Sequence, residues 1–449
     1  MSYTDLSSFD GLRFFVLEQM AEHRVPGVAV GILQGGQMHA EGLGTTSVLH
    51  GLPVTVDTLF QVGSTTKTLC ATLIMMLSEQ GLLDLDAPVR RVLPDLQFAD
   101  PEVSARVTAR HLLQHTGGWA GDYFINTGDG DDALERYLHG LKNLAQLTPL
   151  GDLWHYNNSG FGILGRVVEV LCGQTFERVA RERLLAPLGL QHSFFFPEEV
   201  MLERFAVGHF VNAQGQLERS RPWSLPRNTS SIGRLCSSVL DQLRYAAFHL
   251  SGDEGLLSRE SLEAMQTPSV QAAHGGQFGL SWFVRELGGV RLISHGGATN
   301  GQMSAFWMIP AREFACTLLT NAENGALLNN AVSNFIRKTY LGLEELELPA
   351  LPFEPSLEPL LGAYREDNFG TVLHFDWDGE NLSYTVEMGD YSSFLETPPP
   401  VPPPARFEFS SSHAVRVVEG EAKGMKGEFL TDSSGQKWLR TSRMFRKVG

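Results

Sequence analysis

The sequence predicts an α+β fold followed by a small all-β domain, and three observations carry that reading. Apolar, strand-like runs lie at both ends of the first three quarters of the chain, with a helix-rich stretch between them. A segment with prolines at 349, 352, 355 and 359 then interrupts the pattern. Short strands and turns occupy the remainder. Strands distant in sequence and separated by helices assemble into one antiparallel sheet backed by those helices.

The elements follow in order. Residues 8–22 read as a helix, and Val28-Ala29-Val30-Gly31-Ile32-Leu33 as a strand that turns at Gly35-Gly36 into a second strand. Leu59 to Gly63 is a short strand ending in a turn. Leu69, Leu73, Met76 and Leu77 then recur at helical spacing. The middle, roughly 66–255, is helix-rich with Pro and Gly punctuation. Strands return at Phe278 to Val284, Val290 to Ser294, Ser304 to Ile309 and Phe314 to Thr320, and a helix from about Ala326 to Tyr340 closes the unit. Residues 1–342 are thus expected to form the α+β domain, 343–357 a linker, and 358–449 a separate β barrel or sandwich. In that last unit Thr371 to Trp377, Asp378-Gly379 and Leu382 to Val386 read as a hairpin. Pro398–Pro400 and Pro402–Pro404 form an exposed loop with polyproline character.

Composition excludes several classes. The net charge of −16 argues against nucleic acid and anionic membrane surfaces as partners. The longest apolar runs are too short and interrupted to cross a bilayer. Residues 1–20 lack a basic segment followed by a continuous apolar core, so no signal peptide is expected. Cys70, Cys172, Cys236 and Cys316 are widely spaced, without a C-x-x-C, and read as free thiols of a cytoplasmic protein.

Ser64-Thr65-Thr66-Lys67 places a nucleophile and an amine one helical turn apart, on one face of the helix that follows. The helix dipole there favours a developing alkoxide and disfavours a charged lysine, which is how a weak nucleophile is activated. Ser434-Gly435-Gln436-Lys437 has the same spacing but lies in a polar stretch with no helix after it, and reads as a turn. Tyr156-Asn157-Asn158 supplies a second proton carrier and an amide that can both donate and accept. A tyrosine near two cationic groups titrates low enough to exchange a proton with serine.

Of the three H-x-G triplets, His295-Gly296-Gly297 ends an apolar strand, and its glycines allow a substrate to lie against it with the Ala298 N–H free to donate. His115-Thr116-Gly117-Gly118 closes a helix through its glycines, and His274-Gly275-Gly276 is a loop. His111 and His115 have metal-like spacing but no third ligand, so no metal is expected. Gly160-Phe161-Gly162-Ile163-Leu164-Gly165 matches G-x-G-x-x-G without the surrounding βαβ unit. It therefore reads as close helix packing, and no cofactor is expected. G-x-S-x-G, H-E-x-x-H and a Walker loop are all absent from the sequence.

The order Ser64-x-x-Lys67, Tyr156-x-Asn158, His295-x-Gly297 resembles the serine β-lactamase and penicillin-binding-protein superfamily, in particular its class C-like group of D-aminopeptidases, D-alanyl-D-alanine carboxypeptidases and β-lactamase-like esterases. Val25 to Val30, Leu112 to Gly118, Tyr156 to Phe161 and Phe278 to Trp282 agree with it, over roughly residues 8–340. The resemblance implies a β-lactamase/transpeptidase-like domain in which Ser64 forms an acyl-enzyme and Lys67 and Tyr156 share the general-base role. Asn158, His295, Gly296 and Gly297 would bind substrate, and the Ser64 and Ala298 N–H groups would form the oxyanion hole. Histidine in place of the Lys-Thr-Gly lysine would be a weaker, pH-dependent cation, which predicts poor β-lactam hydrolysis.

Leu357 to Tyr364 looks like the start of the lipocalin-like barrels of some D-aminopeptidase-type members, implying that the C-terminal unit restricts substrate size, with 397–404 as its gate. The implied function is cleavage of small amides or short peptides, including those with D-residues. Ester or weak β-lactam hydrolysis is the alternative within the class, and a catalytically idle peptide-binding module the alternative outside it.

Overall fold

The computed structural model describes residues 9–49, 51–212, 214–252, 255–345, 349–367, 369–390, 401–420 and 423–448. Among them, eight strands form one antiparallel sheet: β1 (Gly27–Gln34), β2 (Gln37–Gly44), β3 (Val270–Gln271), β4 (Gln277–Phe278), β5 (Phe283–Leu287), β6 (Val290–Thr299), β7 (Gln302–Ile309) and β8 (Phe314–Thr320). Their order across the sheet is β2-β1-β8-β7-β6-β5-β4-β3, so the N-terminal hairpin pairs with the last strand of the unit.

The alternation in β1 explains why both faces are covered. Val28, Val30 and Ile32 point into a cluster with Leu12 and Val16 of α1 (Phe9–Glu22) and Leu328, Val332 and Ile336 of a C-terminal helix, Gly325–Leu341. Ala29 and Leu33 join the larger core on the other face. Gly31 on that face lies so close to Val239 and Leu243 of the helix Val239–Ser251 that a Cβ would meet their side chains at 2.8 and 2.9 Å. A strand buried on both faces reads as a continuous apolar run, as this one does.

The helical region carries α2 (Thr66–Glu79) and α3 (Asn158–Cys172), both largely buried. Close helix packing is what Gly162 and Gly165 provide: added Cβ atoms would meet Tyr137 at 2.6 Å and Ser231 Oγ at 2.3 Å. The expected strand Phe278 to Val284 is two strands, β4 and β5, separated by a tight reversal with Ser281 at φ 69°. The expected strand Val290 to Ser294 runs on to Thr299, through both glycines of His295-Gly296-Gly297.

The C-terminal region closes into an antiparallel barrel of β9 (Gly362–Arg365), β10 (Val372–Trp377), β11 (Leu382–Glu387), β12 (Ala405–Ser411), β13 (Ala414–Val417), β14 (Lys426–Thr431), β15 (Lys437–Arg440) and β16 (Met444–Val448). The pairing of β9 with β16 removes the exposed sheet edges. Phe375, Phe407, Phe409, Phe429 and Tyr364 fill its interior. Part of the expected linker packs on it: the Leu351 N–H donates to Phe409 O at 2.7 Å, and Phe353 lies against Trp377. Ser434 and Lys437 lie at the turn into β15, where the Ser434 hydroxyl donates to Asp432. The proline-rich 397–404 loop falls in part outside the described residues.

Candidate active site

Ser64 sits in a single helical turn, Gly63–Thr65, between the short strand Phe60–Gln61 and α2. Gly63 has φ +53°, and a Cβ on it would meet the Ala298 backbone nitrogen at 2.7 Å. Gly297 faces it: a Cβ there would lie 2.0 Å from Val62 O and 2.7 Å from Ser64 N. Glycine at both positions lets the β6 backbone press against the serine turn, with the backbone nitrogens of Ser64 and Ala298 at the contact. Thr65 Oγ1 lies 3.0 Å from Ser304 Oγ on β7, which donates to Val62 O at 2.8 Å, and these bonds fix the contact.

Lys67 is fully buried. Its Nζ donates to Ile232 O at 2.8 Å and lies 3.0 Å from Ser64 Oγ. Burial first, and the Arg443 charge second, hold its pKa well below the ordinary lysine value. A neutral amine at this distance can accept the serine proton. The Tyr156 ring lies 5.1 Å from the Lys67 nitrogen. Its hydroxyl completes no hydrogen bond of good geometry, although Ser64 is close enough to pull its pKa down. Burial is the stronger effect and pushes the phenol above its usual value. This corrects the expectation of a low-titrating tyrosine: removal from water outweighs the nearby cations, so the phenol keeps its proton, while burial pushes the Lys67 amine towards its free base.

His295 also departs from expectation. It is buried, its Nδ1–H donates to Gly296 O at 2.7 Å, and Nε2 has no partner. Burial, with Lys67 second, drives its pKa down to about 3. It is therefore a neutral wall residue at physiological pH, not the pH-dependent cation expected from its place in the motif. His115, not the following glycines, takes the left-handed conformation that ends its helix, with φ 56°.

Asn158 opens α3, and its Nδ2 donates to Asp122 Oδ1 at 2.6 Å. Asp122 also receives Arg443 through two bonds, Nη2 to Oδ1 at 3.0 Å and a short one from Nε to Oδ2. The Arg443 guanidinium lies 4.9 Å over the Tyr156 ring. Arg443 belongs to the turn between β15 and β16, so the barrel reaches the surroundings of Tyr156 and Ser64. The cation beside Tyr156 is therefore this arginine, held by Asp122. Asp122 and Arg443 were missed by the motif reading. They are 321 positions apart, and neither lies in a recognisable pattern.

Ser64, Lys67, Tyr156, Asn158, His295, Gly296, Gly297 and Ala298 are thus gathered in one place from the serine turn and α2, the segment that leads into α3, the first residue of α3, and β6. The chain matches the Beta-lactamase family over residues 13–338. It belongs to that family. Penicillin-binding protein 4 of Amycolatopsis lactamdurans is 34% identical over 379 residues, covering 80% of this chain and 96% of the relative. The D-aminopeptidase of Brucella anthropi is 25% identical over 96% of this chain and 82% of its own length. The solved structure of SurE superposes with a TM-score of 0.76 at 25% identity, covering 98% of each chain. The chain is accordingly a serine hydrolase of the β-lactamase family, with a closed C-terminal barrel. Among its described residues, no helix is long and apolar enough to cross a membrane.

Proposed function

We propose that this protein cleaves small amides or short peptides through an acyl-enzyme on Ser64. The observation that carries the proposal is the buried Lys67 amine, 3.0 Å from the Ser64 hydroxyl, whose pKa burial holds well below the ordinary lysine value. Ser64 Oγ attacks the acyl carbonyl as its proton passes to Lys67 Nζ. The carbonyl electrons move onto oxygen, which the Ser64 and Ala298 N–H groups stabilise at about 3 kcal/mol per donor. Tyr156, protonated and buried beside the serine, hands a proton to the leaving amine and is recharged from Lys67. Water then attacks the ester as the same groups run in reverse.

Asn158, already donating to Asp122, turns its side-chain oxygen to a substrate N–H, and neutral His295 with Gly296 and Gly297 forms the opposite wall. Arg443 is the cation suited to a substrate carboxylate, which favours peptides with a free C-terminus, including those ending in D-residues. Esters require less of the same chemistry. A fluorophosphonate or penicillin adduct seen by intact-mass spectrometry and lost in Ser64→Ala supports the reading. Folded wild-type protein that forms no adduct with either probe refutes it.

A further inference from the structure

The segment Trp154–Asn157 carries the catalytic-site tyrosine but belongs to no sheet or helix among the described elements. Its backbone groups must nevertheless be satisfied, because the segment is buried. They go alternately to two partners. The His155 N–H donates to His115 O at 3.1 Å, and the Asn157 N–H to His115 Nδ1 at 3.1 Å. The Tyr156 N–H donates to Ser442 O of the barrel at 3.0 Å, and Trp154 O accepts from Arg440 Nη1, also of the barrel, at 3.2 Å. Half of the support under Tyr156 therefore comes from the C-terminal domain.

Arg440 is built for this. Its side chain and that of its partner Glu428 are each only 6% exposed. Arg440 Nη2 donates to Glu428 Oε2 at 2.7 Å and to Ala272 O at 2.8 Å. Glu428 Oε1 in turn accepts from the Gly275 N–H at 2.7 Å. One buried ion pair of the barrel thus ties together the Tyr156 segment and the 272–275 loop. A buried arginine satisfied by carbonyls of another domain is an expensive arrangement unless it fixes something.

We infer that Arg440 is a positioning residue for Tyr156, and that the barrel is a structural part of the active site. The inference rests on the hydrolase reading above for its catalytic consequence, but its structural half stands apart from it. Arg440→Gln removes the clamp, and Glu428→Gln/Arg440→Gln removes it without leaving a buried charge. Arg440→Lys restores one donor, and Arg416→Gln, in an ion pair on the barrel surface with Glu408, is the control.

Two measurements on the full-length chain decide the matter. The first is the rate of fluorophosphonate labelling of Ser64, with kcat and KM for any substrate then in hand. A 1 Å misplacement of a catalytic group costs up to ~100-fold, so the expected slowing is about tenfold or more. It should fall on kcat with KM nearly unchanged, be partly rescued in Arg440→Lys and be absent in Arg416→Gln. The second is amide hydrogen exchange in the peptide spanning 153–158, which should quicken in the clamp variants alone. Slowing below about tenfold in any folded clamp variant overturns the inference, as does unchanged exchange. Wild type that is never labelled, with exchange quickened in Arg440→Gln, refutes the hydrolase reading and leaves the clamp standing.

Discussion

Gly297→Ala tests whether the approach of β6 to the serine turn is the geometry that stabilises the oxyanion. The new methyl group would sit 2.0 Å from Val62 O, 2.7 Å from Ser64 N and 2.8 Å from Ser304 Oγ. Non-bonded contacts of this kind settle near 3.5 Å, so strand and turn must separate by more than about 1 Å. β6 cannot easily retreat, since Gly297 is paired with Ser304 on β7, within a run of pairs from Ile293 to Thr299. The separation falls on the gap between the Ser64 and Ala298 N–H groups. Donors act on the oxyanion only within about 2.7–3.1 Å, and losing one costs ~3 kcal/mol, or roughly 100-fold or more in rate.

Overpacking should also destabilise the fold by about 1–3 kcal/mol. Gly296→Ala is the internal comparison, because its methyl group meets only Ser304 O, at 3.0 Å. The assay is single-turnover acylation of each variant, with thermal unfolding to establish that it is folded. A folded Gly297→Ala that acylates within a few-fold of wild type would refute the placement of the oxyanion hole.

The other predictions concern charge. Lys67→Met should abolish acylation yet raise stability at neutral pH, because a lysine held below its ordinary pKa by burial is a cost to the fold. The unfolded chain binds the extra proton between the folded and ordinary values, so wild-type stability should rise with pH across that window by about 1.4 kcal/mol per unit. Denaturant titrations at several pH values would show this slope lost in Lys67→Met. Burial holds His155 at about 4, His249 and His295 at about 3, and His115 well below its usual value. The unfolded chain protonates them below about pH 6.5 while the folded one does not, so stability should fall as pH drops from there, by about 1.4 kcal/mol per unit for each. NMR should find the His295 imidazole neutral throughout pH 5–8; titration near 6.5 would sink its assignment as an uncharged wall. Arg443→Gln should lower kcat/KM about 10–100-fold for substrates with a free carboxylate and much less for their amides, as expected for one charged hydrogen-bonding group. Equal loss on both would remove the arginine's role in recognition.

The sequence alone determined the α+β unit, the barrel region and most residues of the candidate site. Each rests on a local pattern: apolar alternation in Val28 to Leu33, helical spacing after Ser64, a nucleophile and amine one turn apart, and glycines where β6 must lie against another backbone. Such signals are short-range, so they survive without knowledge of the fold. Tertiary structure alone decided the electrostatics and the partners.

The titration of Tyr156 and His295 depends on how completely they are removed from water, and spacing does not reveal that. The break at Ser281 is also tertiary, since that residue's N–H donates to Leu113 O and holds an unusual backbone conformation. The contributions of Asp122, Arg440, Ser442 and Arg443 come from contacts hundreds of residues apart. Only the docking of the barrel against the 154–157 segment brings a C-terminal turn to a serine near the N-terminus.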